Sequence, residues 1–339
     1  MAKLGFSGES REARCKGLLT LLAPQIRQVA AIHDRRKLDY CDHDGTTAIK
    51  KAQTTSSRTK RRKTPPSGRT KVEFVGALAR GLAVLGAFDE AHSEMALTEV
   101  ANRIGVSPAT ARRSLHTLEA LGYLRFVNKR YVLAAHVLTL GAAYIRAARV
   151  DEALMPELRR LVDLFGDASS VSVLDGSNIL YIAHCSEQRA ARRTAGIGVT
   201  YPAYATSMGR VLISRLCDDE LETYLNDLRP IKFTENTVTD IGRLRRIFVQ
   251  TRRLGYSAVV DELDYGITAL AVPITDQTGR VVAAVNTSGY SGKLPIDQLV
   301  DGRLNDLRIA ATRIGQIFTR YPVLLHSIAP ANISAAGSK

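Results

Sequence analysis

The sequence predicts a mixed α+β protein in two parts, a winged helix-turn-helix followed by an antiparallel sheet flanked by helices. Three observations carry this. Two short amphipathic helices flank a Gly-Val-Ser-Pro turn at residues 105–108. A short β-prone hairpin with a basic tip comes next. The C-terminal half then alternates hairpins with helices, the pattern of an α+β domain rather than a parallel sheet.

The chain begins with a basic stretch. Residues 1–71 hold 17 Lys and Arg against 6 Asp and Glu, a net +11 out of +14 for all 339 residues. Residues 151–339 balance at 21 of each sign. Positive charge gathered at one end points to a polyanion partner for that end. From Lys50 to Lys71 the composition is Lys, Arg, Ser, Thr and Pro, which cannot repay its ordering entropy. Residues 1–71 are therefore expected to form a basic, unordered extension. Gly17 to Ile32 is helix-compatible but has no evident partner. The charge either adds salt-sensitive DNA affinity or is simply solvated, the commoner fate of charge runs.

Residues 72–133 are expected to form the winged module. Val75 to Phe88 supplies a supporting helix through Leu78, Leu82 and Leu85. Thr98 is placed to cap the next helix, whose apolar face is Val100, Ala101 and Ile104. Gly105 stops it, because glycine tolerates the left-handed conformation that follows a helix end. Ser107 then caps a second helix, with Pro108 at its first position, where the missing N–H costs nothing. Ala111, Leu115 and Leu118 recur at one buried face. The opposite face presents Ala109, Thr110, Arg112, Arg113 and His116, small and cationic groups suited to a DNA major groove. The helices alone fit an ordinary core with solvated arginines equally well. The hairpin Tyr123–Val127 and Arg130–Leu133, turning at Asn128-Lys129, shifts the reading to a winged module with Lys129 and Arg130 near phosphates. Ser107 and these surface residues are the candidate contacts to double-stranded DNA.

Residues 134–150 read as a linker helix able to bury against a second subunit, with Val137, Leu138, Leu140, Tyr144 and Ile145 apolar. Residues 151–326 read as the second domain and residues 327–339 as a flexible tail. Leu154, Leu158, Leu161, Val162 and Phe165 line one helix face. Two hairpins turn at Asp175–Asn178 and Asp276–Gly279. Helices are expected over Ser207–Arg215, Asp218–Leu228, Thr239–Leu254 and Ile296–Tyr321.

Several classes are excluded or weakened. No apolar run approaches the ~20 residues of a membrane span, and Leu18–Leu22 is too short for a secretory signal core. The four cysteines are scattered, against a zinc site or disulfide framework and in favour of a cytoplasmic setting. The GxSxG, GxGxxG, P-loop and HExxH patterns are absent, so neither cofactor nor metal is expected. His184 and Cys185 adjoin on a strand and point to opposite faces, so they do not pair as base and nucleophile. The reading is a regulator rather than an enzyme. The alternative is an enzyme acting on a small carboxylate with a fused DNA-binding module. A purely architectural DNA-binding protein fits poorly with the neutral C-terminal half.

Over roughly Glu73 to His326 the chain resembles the IclR family of bacterial transcriptional regulators. The N-terminal resemblance is LTEVANRIGVSPATARRSL at Leu97–Leu115. The C-terminal resemblance is YPAYATSMGRVL at Tyr201–Leu212, followed by AVPI at Ala271–Ile274 and GRVVAA at Gly279–Ala284. Tyr204 stands where the family usually has His, and Arg210 where it often has Lys. These departures resemble the branch that controls protocatechuate and β-ketoadipate breakdown. The resemblance implies a DNA-binding homodimer, often paired into a tetramer, with a GAF-like domain that takes a small organic acid. It places Tyr201, Ser207 and Met208 in the ligand-contacting segment and Ala269 at a small-residue position. Ser207 opens a helix whose positive end suits a carboxylate. Asn286 and Ser288 alternate on a strand, so both can face the family's pocket. Arg192 or Arg193 is either a bidentate carboxylate partner or a surface loop arginine. Glu262 is close to the family's acidic position, as a pocket group or a structural hydrogen-bonding one.

Overall fold

The computed structural model describes residues 74–187 and 195–328. The expectations for residues 1–71 and for Arg192 and Arg193 lie outside the described residues, as does nearly all of the 327–339 tail. The chain divides into two compact units between Leu138 and Thr139.

In the first unit, α1 (Gly76–Leu85), β1 (Glu94–Met95), α2 (Leu97–Arg103), α3 (Pro108–Ala120), β2 (Leu124–Val127) and β3 (Arg130–Leu133) make a winged helix-turn-helix. Its core is Val84, Ala87, Met95, Val100, Ala101, Ala111, Leu115, Leu124 and Tyr131. The supporting helix faces inward differently from the sequence reading. Val84 is buried, while Leu78 and Leu82 are 65% and 58% exposed. Leu78 and Leu82 thus form an outward apolar face, while Leu85 packs against the core as expected. Thr98 lies inside α2 rather than capping it. The cap position is Ala96, whose N–H donates to the Glu99 carboxylate at 2.7 Å. That bond, then Arg130, holds the Glu99 carboxyl below its usual range. The sheet order is β1-β3-β2, all antiparallel. Asn128 and Lys129 both have positive φ (49° and 63°), the two-residue primed turn that matches strand twist.

α4 (Leu138–Ala148) starts at the boundary between the units, after a single 3-10 turn at Ala135–Val137, and is followed in the second unit by α5 (Val150–Phe165). The expected 134–150 linker helix is therefore interrupted at both ends. Arg149, at φ 52°, breaks the helical run between α4 and α5. Tyr144 and Ile145 pack against the second unit's own core, while Leu138 is 74% exposed.

The second unit's sheet runs β6-β5-β4-β9-β8-β7, every neighbouring pair antiparallel. Its strands are β4 (Ala168–Asp175), β5 (Asn178–Ser186), β6 (Thr200–Pro202), β7 (Ser257–Val260), β8 (Ile267–Thr275) and β9 (Val281–Tyr290). The two hairpins match the sequence reading, whereas the short edge strands β6 and β7 were not foreseen. On one face α5 and α9 (Ile296–Ile317) bury Leu154, Leu158, Leu161, Leu307 and Ile314 against Val171, Val272 and Val285. α10 (Pro322–Ile328) closes that layer through Leu324 and Ile328. On the other face α6 (Ser207–Ile213), α7 (Asp218–Asp227) and α8 (Ile241–Leu254) pack around Met208, Val211, Leu225 and Phe248. Alternation along β8 and β9 sends Val272 and Val285 one way and Ala271 and Ala284 the other. Further along the same face the small residues Ala168, Ser170, Ala269 and Ser288 leave room above the sheet.

Candidate functional site

The N-terminal surface is built by α3 and the wing. Ser107 caps α3, its hydroxyl accepting the Thr110 N–H at 3.3 Å and lying 2.9 Å from the Thr110 hydroxyl. Ala111 and Leu115 are fully buried, which fixes the rotation of the helix. Ser107, Ala109, Arg112, Arg113 and His116 are then exposed together, with Thr110 half-buried at their edge. Lys129 is exposed at the wing tip. Arg130 is not placed with them. Its guanidinium bridges Glu94 at 3.3 Å and Glu99 at 2.8 Å and donates to the Glu94 carbonyl. These contacts within its own unit tie the wing to α2. Arg125, on the exposed β2 strand, is a wing cation that sequence reasoning passed over.

The second unit holds a cavity of about 180 Å³ between the small-residue face of the sheet and α6. This is comparable to the ~150 Å³ cavity that accepts a benzene ring in an engineered lysozyme. Six sequence-predicted residues, Tyr201, Ser207, Met208, Ala269, Asn286 and Ser288, line it. Glu262 lines it as well.

Cross-strand pairing builds the floor. Ser170 on β4 pairs with His184 on β5 and with Asn286 on β9, so three polar side chains form one row. The next row is Ser186, Ala168, Ser288 and Ala269. His184 Nδ1 lies 2.9 Å from the Ser170 hydroxyl. Asn286 is 5% exposed, and its Oδ1 is buried without a hydrogen-bond partner. Such an acceptor, left unmet, costs about 1–3 kcal/mol. It marks the point where a ligand donor is best received. His184 is a lining residue that sequence reasoning missed. The register shift between Val171 and Ser172 is the reason. Continued from the turn without that bulge, the hairpin would set Ala183, not His184, opposite Ser170. One extra residue turns the histidine onto the cavity face. Cys185 packs on the opposite core, as alternation requires.

The roof is α6. Thr206 caps it by accepting the Gly209 N–H at 3.0 Å, and Ser207 and Met208 follow into the cavity wall. The Ser172 hydroxyl donates to the Met208 sulfur at 3.2 Å, which fixes that side chain. The helix ends at Ile213, seven residues and about two turns long. Gly209 sits against Ala203, where an added Cβ would lie 2.1 Å from the carbonyl oxygen. Tyr204, in the His position, has a structural part. Its hydroxyl donates to the Ile231 carbonyl and accepts the Ile231 N–H, both at 2.7 Å. Burial pushes its pKa up to about 12.

Of the three carboxylates that line the cavity, Glu262 and Asp167 are neutralised from behind. Glu262 receives the buried Arg210 guanidinium at 2.5 Å, and Arg210 also donates to the Tyr204 carbonyl at 2.8 Å. Asp167 receives Arg303 at 2.6 Å, and Arg303 also reaches Thr287. Of the two roles open to Glu262, the structure therefore favours the hydrogen-bonded structural one. No group of His, Cys, Asp and Glu that could hold a metal ion occurs among the described residues.

An exposed helix face carrying two arginines in one unit and a partly open cavity with a polar row on its floor in the other fit a sensor of transcription. Residues 77–127 match the IclR helix-turn-helix domain and residues 142–316 match the bacterial transcriptional regulator IclR C-terminal domain. The chain belongs to the IclR family of bacterial transcriptional regulators. The Pca regulon regulatory protein of Pseudomonas putida is 36% identical over 71% of this chain and 83% of its own length. The Pca operon regulatory protein of Acinetobacter baylyi is 32% identical over 63% and 78%. A solved structure from Rhodococcus sp. RHA1, described as that of a transcriptional regulator, is 38% identical with a TM-score of 0.62. It covers 73% of this chain and 99% of its own. The regulator's family pairs a DNA-binding helix-turn-helix with a C-terminal sheet domain, which are the two units described above. No described helix is long and apolar enough to cross a membrane.

The α3 surface gives one prediction. Arg112→Ala or Arg113→Ala should weaken operator binding by about 1–3 kcal/mol for whichever arginine meets a base edge. Lys129→Ala should instead weaken all DNA sequences alike and flatten the salt slope by about one. Fluorescence anisotropy on operator and scrambled DNA at several salt concentrations separates the two effects.

Proposed function

We propose that this regulator controls a catabolic operon of aromatic-acid or β-ketoadipate breakdown, with a small organic acid seated in the cavity as effector. The carrying observation is the cavity itself, with its unpartnered Asn286 acceptor and its polar row beside α6. The two Pca relatives, named as regulators of the Pca regulon and the Pca operon, supply the pathway. Ser207, Met208, Tyr201, Ala269, Asn286 and Ser288 contact the effector, and Glu262 holds the wall through Arg210. Ser107, Ala109, Thr110, Arg112, Arg113, His116 and Lys129 meet double-stranded DNA.

The regulator acts in the cytoplasm as a homodimer or a tetramer. The outward Leu78 and Leu82 on α1 support a second copy, since exposed apolar faces of this kind mark association surfaces. Effector binding alters the fit of paired recognition helices to their half-sites. It does not transform its ligand.

Calorimetry with protocatechuate and β-ketoadipate tests the reading. Ser207→Asp should weaken binding about tenfold or more through like-charge repulsion in a water-poor site. Undiminished binding in that variant would move the site elsewhere. Chemical conversion of either compound on incubation would favour the enzyme reading.

A further inference from the structure

We infer that His184 is the charge-compensating group of the cavity, so that a carboxylate effector binds together with a proton. This rests on the effector reading above and adds a residue and a pH dependence to it.

The geometry carries the inference. Among the described residues that line the cavity there is no lysine or arginine. The cations nearest the wall, Arg210 and Arg303, are committed to Glu262 and Asp167. Among the described residues, a carboxylate entering this space therefore meets no uncommitted fixed positive charge, and burying it unpaired is costly. His184 lies on the floor with one ring nitrogen against the Ser170 hydroxyl, which leaves the second nitrogen for a ligand. It is the described lining side chain that becomes a cation by gaining one proton. The other ionisable groups at the cavity are Asp167, Glu262 and Asp264, with Tyr181, Tyr201 and Tyr290. Asp167 and Glu262 are held by their arginines, and tyrosine is neutral in this pH range.

Burial lowers the His184 pKa below the ordinary histidine value in the free protein. Burial thus favours the neutral ring before a ligand arrives, and an anion beside it favours the charged form. The sign follows. The complex holds more protons than the free protein, so affinity falls as pH rises toward and through the bound-state pKa. With one full proton taken up, the loss approaches about tenfold per pH unit.

The probe is 4-hydroxybenzoate, whose carboxylate and phenol do not titrate between about pH 6 and 8. Calorimetry on the full chain at pH 7, in buffers of low and high ionisation enthalpy, counts the protons taken up. The expected result is uptake approaching one proton and an affinity that falls from about pH 6 to 8. His184→Gln should abolish both the uptake and the slope, while Cys185→Ser, on the opposite face, keeps them. Binding with equal enthalpies in both buffers and a flat pH profile would overturn the role of His184 and leave the effector site standing. The wild-type result decides even if the His184→Gln chain fails to fold. No binding of this acid, of protocatechuate or of β-ketoadipate would overturn the effector reading and this inference with it.

Discussion

Replacing Gly209 with alanine is expected to destabilise the second unit by at least about 3 kcal/mol. The new methyl carbon would sit 2.1 Å from the Ala203 carbonyl oxygen and 2.4 Å from the Ala203 Cα. Both are backbone atoms of the turn before α6, so no flexible side chain can move aside. Overpacking in a well-filled core costs typically ~1–3 kcal/mol, and a backbone clash this deep lies at or beyond the upper end. In a unit of this size the loss lowers the melting temperature by roughly 10 °C. The damage is local as well as global, because α6 carries Ser207 and Met208 into the cavity wall. Thermal denaturation followed by circular dichroism, together with effector calorimetry, should show both losses. An unchanged melting temperature would mean that α6 does not lie against Ala203.

Arg210→Met is the second large effect, expected to cost about 3–5 kcal/mol. Arg210 and Glu262 are 3% and 8% exposed, so removing the guanidinium strands a buried carboxylate and leaves the Tyr204 carbonyl without its Arg210 donor. The double variant Arg210→Met with Glu262→Leu should recover much of the loss, since two apolar groups leave no buried charge. Denaturant unfolding of the four proteins measures the coupling. Additive losses would show that the two side chains do not meet.

How much of this was legible beforehand depends on how local each signal is. The helix-turn-helix was readable because its instructions lie within a few residues: Ser107 before Pro108, Gly105 after a seven-residue helix, and apolar spacing at Ala111, Leu115 and Leu118. The two long hairpins were readable from their turns. The edge strands were not. β6 is three residues ending in Pro202, and β7 is four residues between Gly255 and Asp261, too short for alternation to register. The helix α1 was found, but its inward face was misjudged. Leucine periodicity cannot tell a face turned to the core from one turned outward for another chain.

The cavity was legible in part for the same reason. Asn286 and Ser288 follow from a two-residue period, and Ser207 and Met208 from a helix start. His184 was hidden by one bulge, since a single extra residue reverses the face of everything beyond it. The Arg210–Glu262 pair, 52 positions apart, leaves no trace in local pattern. The ion pairs of Arg130 with Glu94 and Glu99, more than 30 positions away, were equally absent from local pattern.

The central claim is that a small acid in the cavity changes how tightly the regulator holds DNA. The most direct measurement is fluorescence anisotropy of the full chain on DNA flanking its own gene. The titration is run with and without saturating protocatechuate or β-ketoadipate, against excess competitor DNA. The account predicts binding that survives the competitor and a Kd that shifts by about 5–150-fold with the effective acid, matching ~1–3 kcal/mol of coupling between sites. An acid that binds by calorimetry yet leaves the operator Kd unchanged, or equal affinity for operator and competitor, would contradict it.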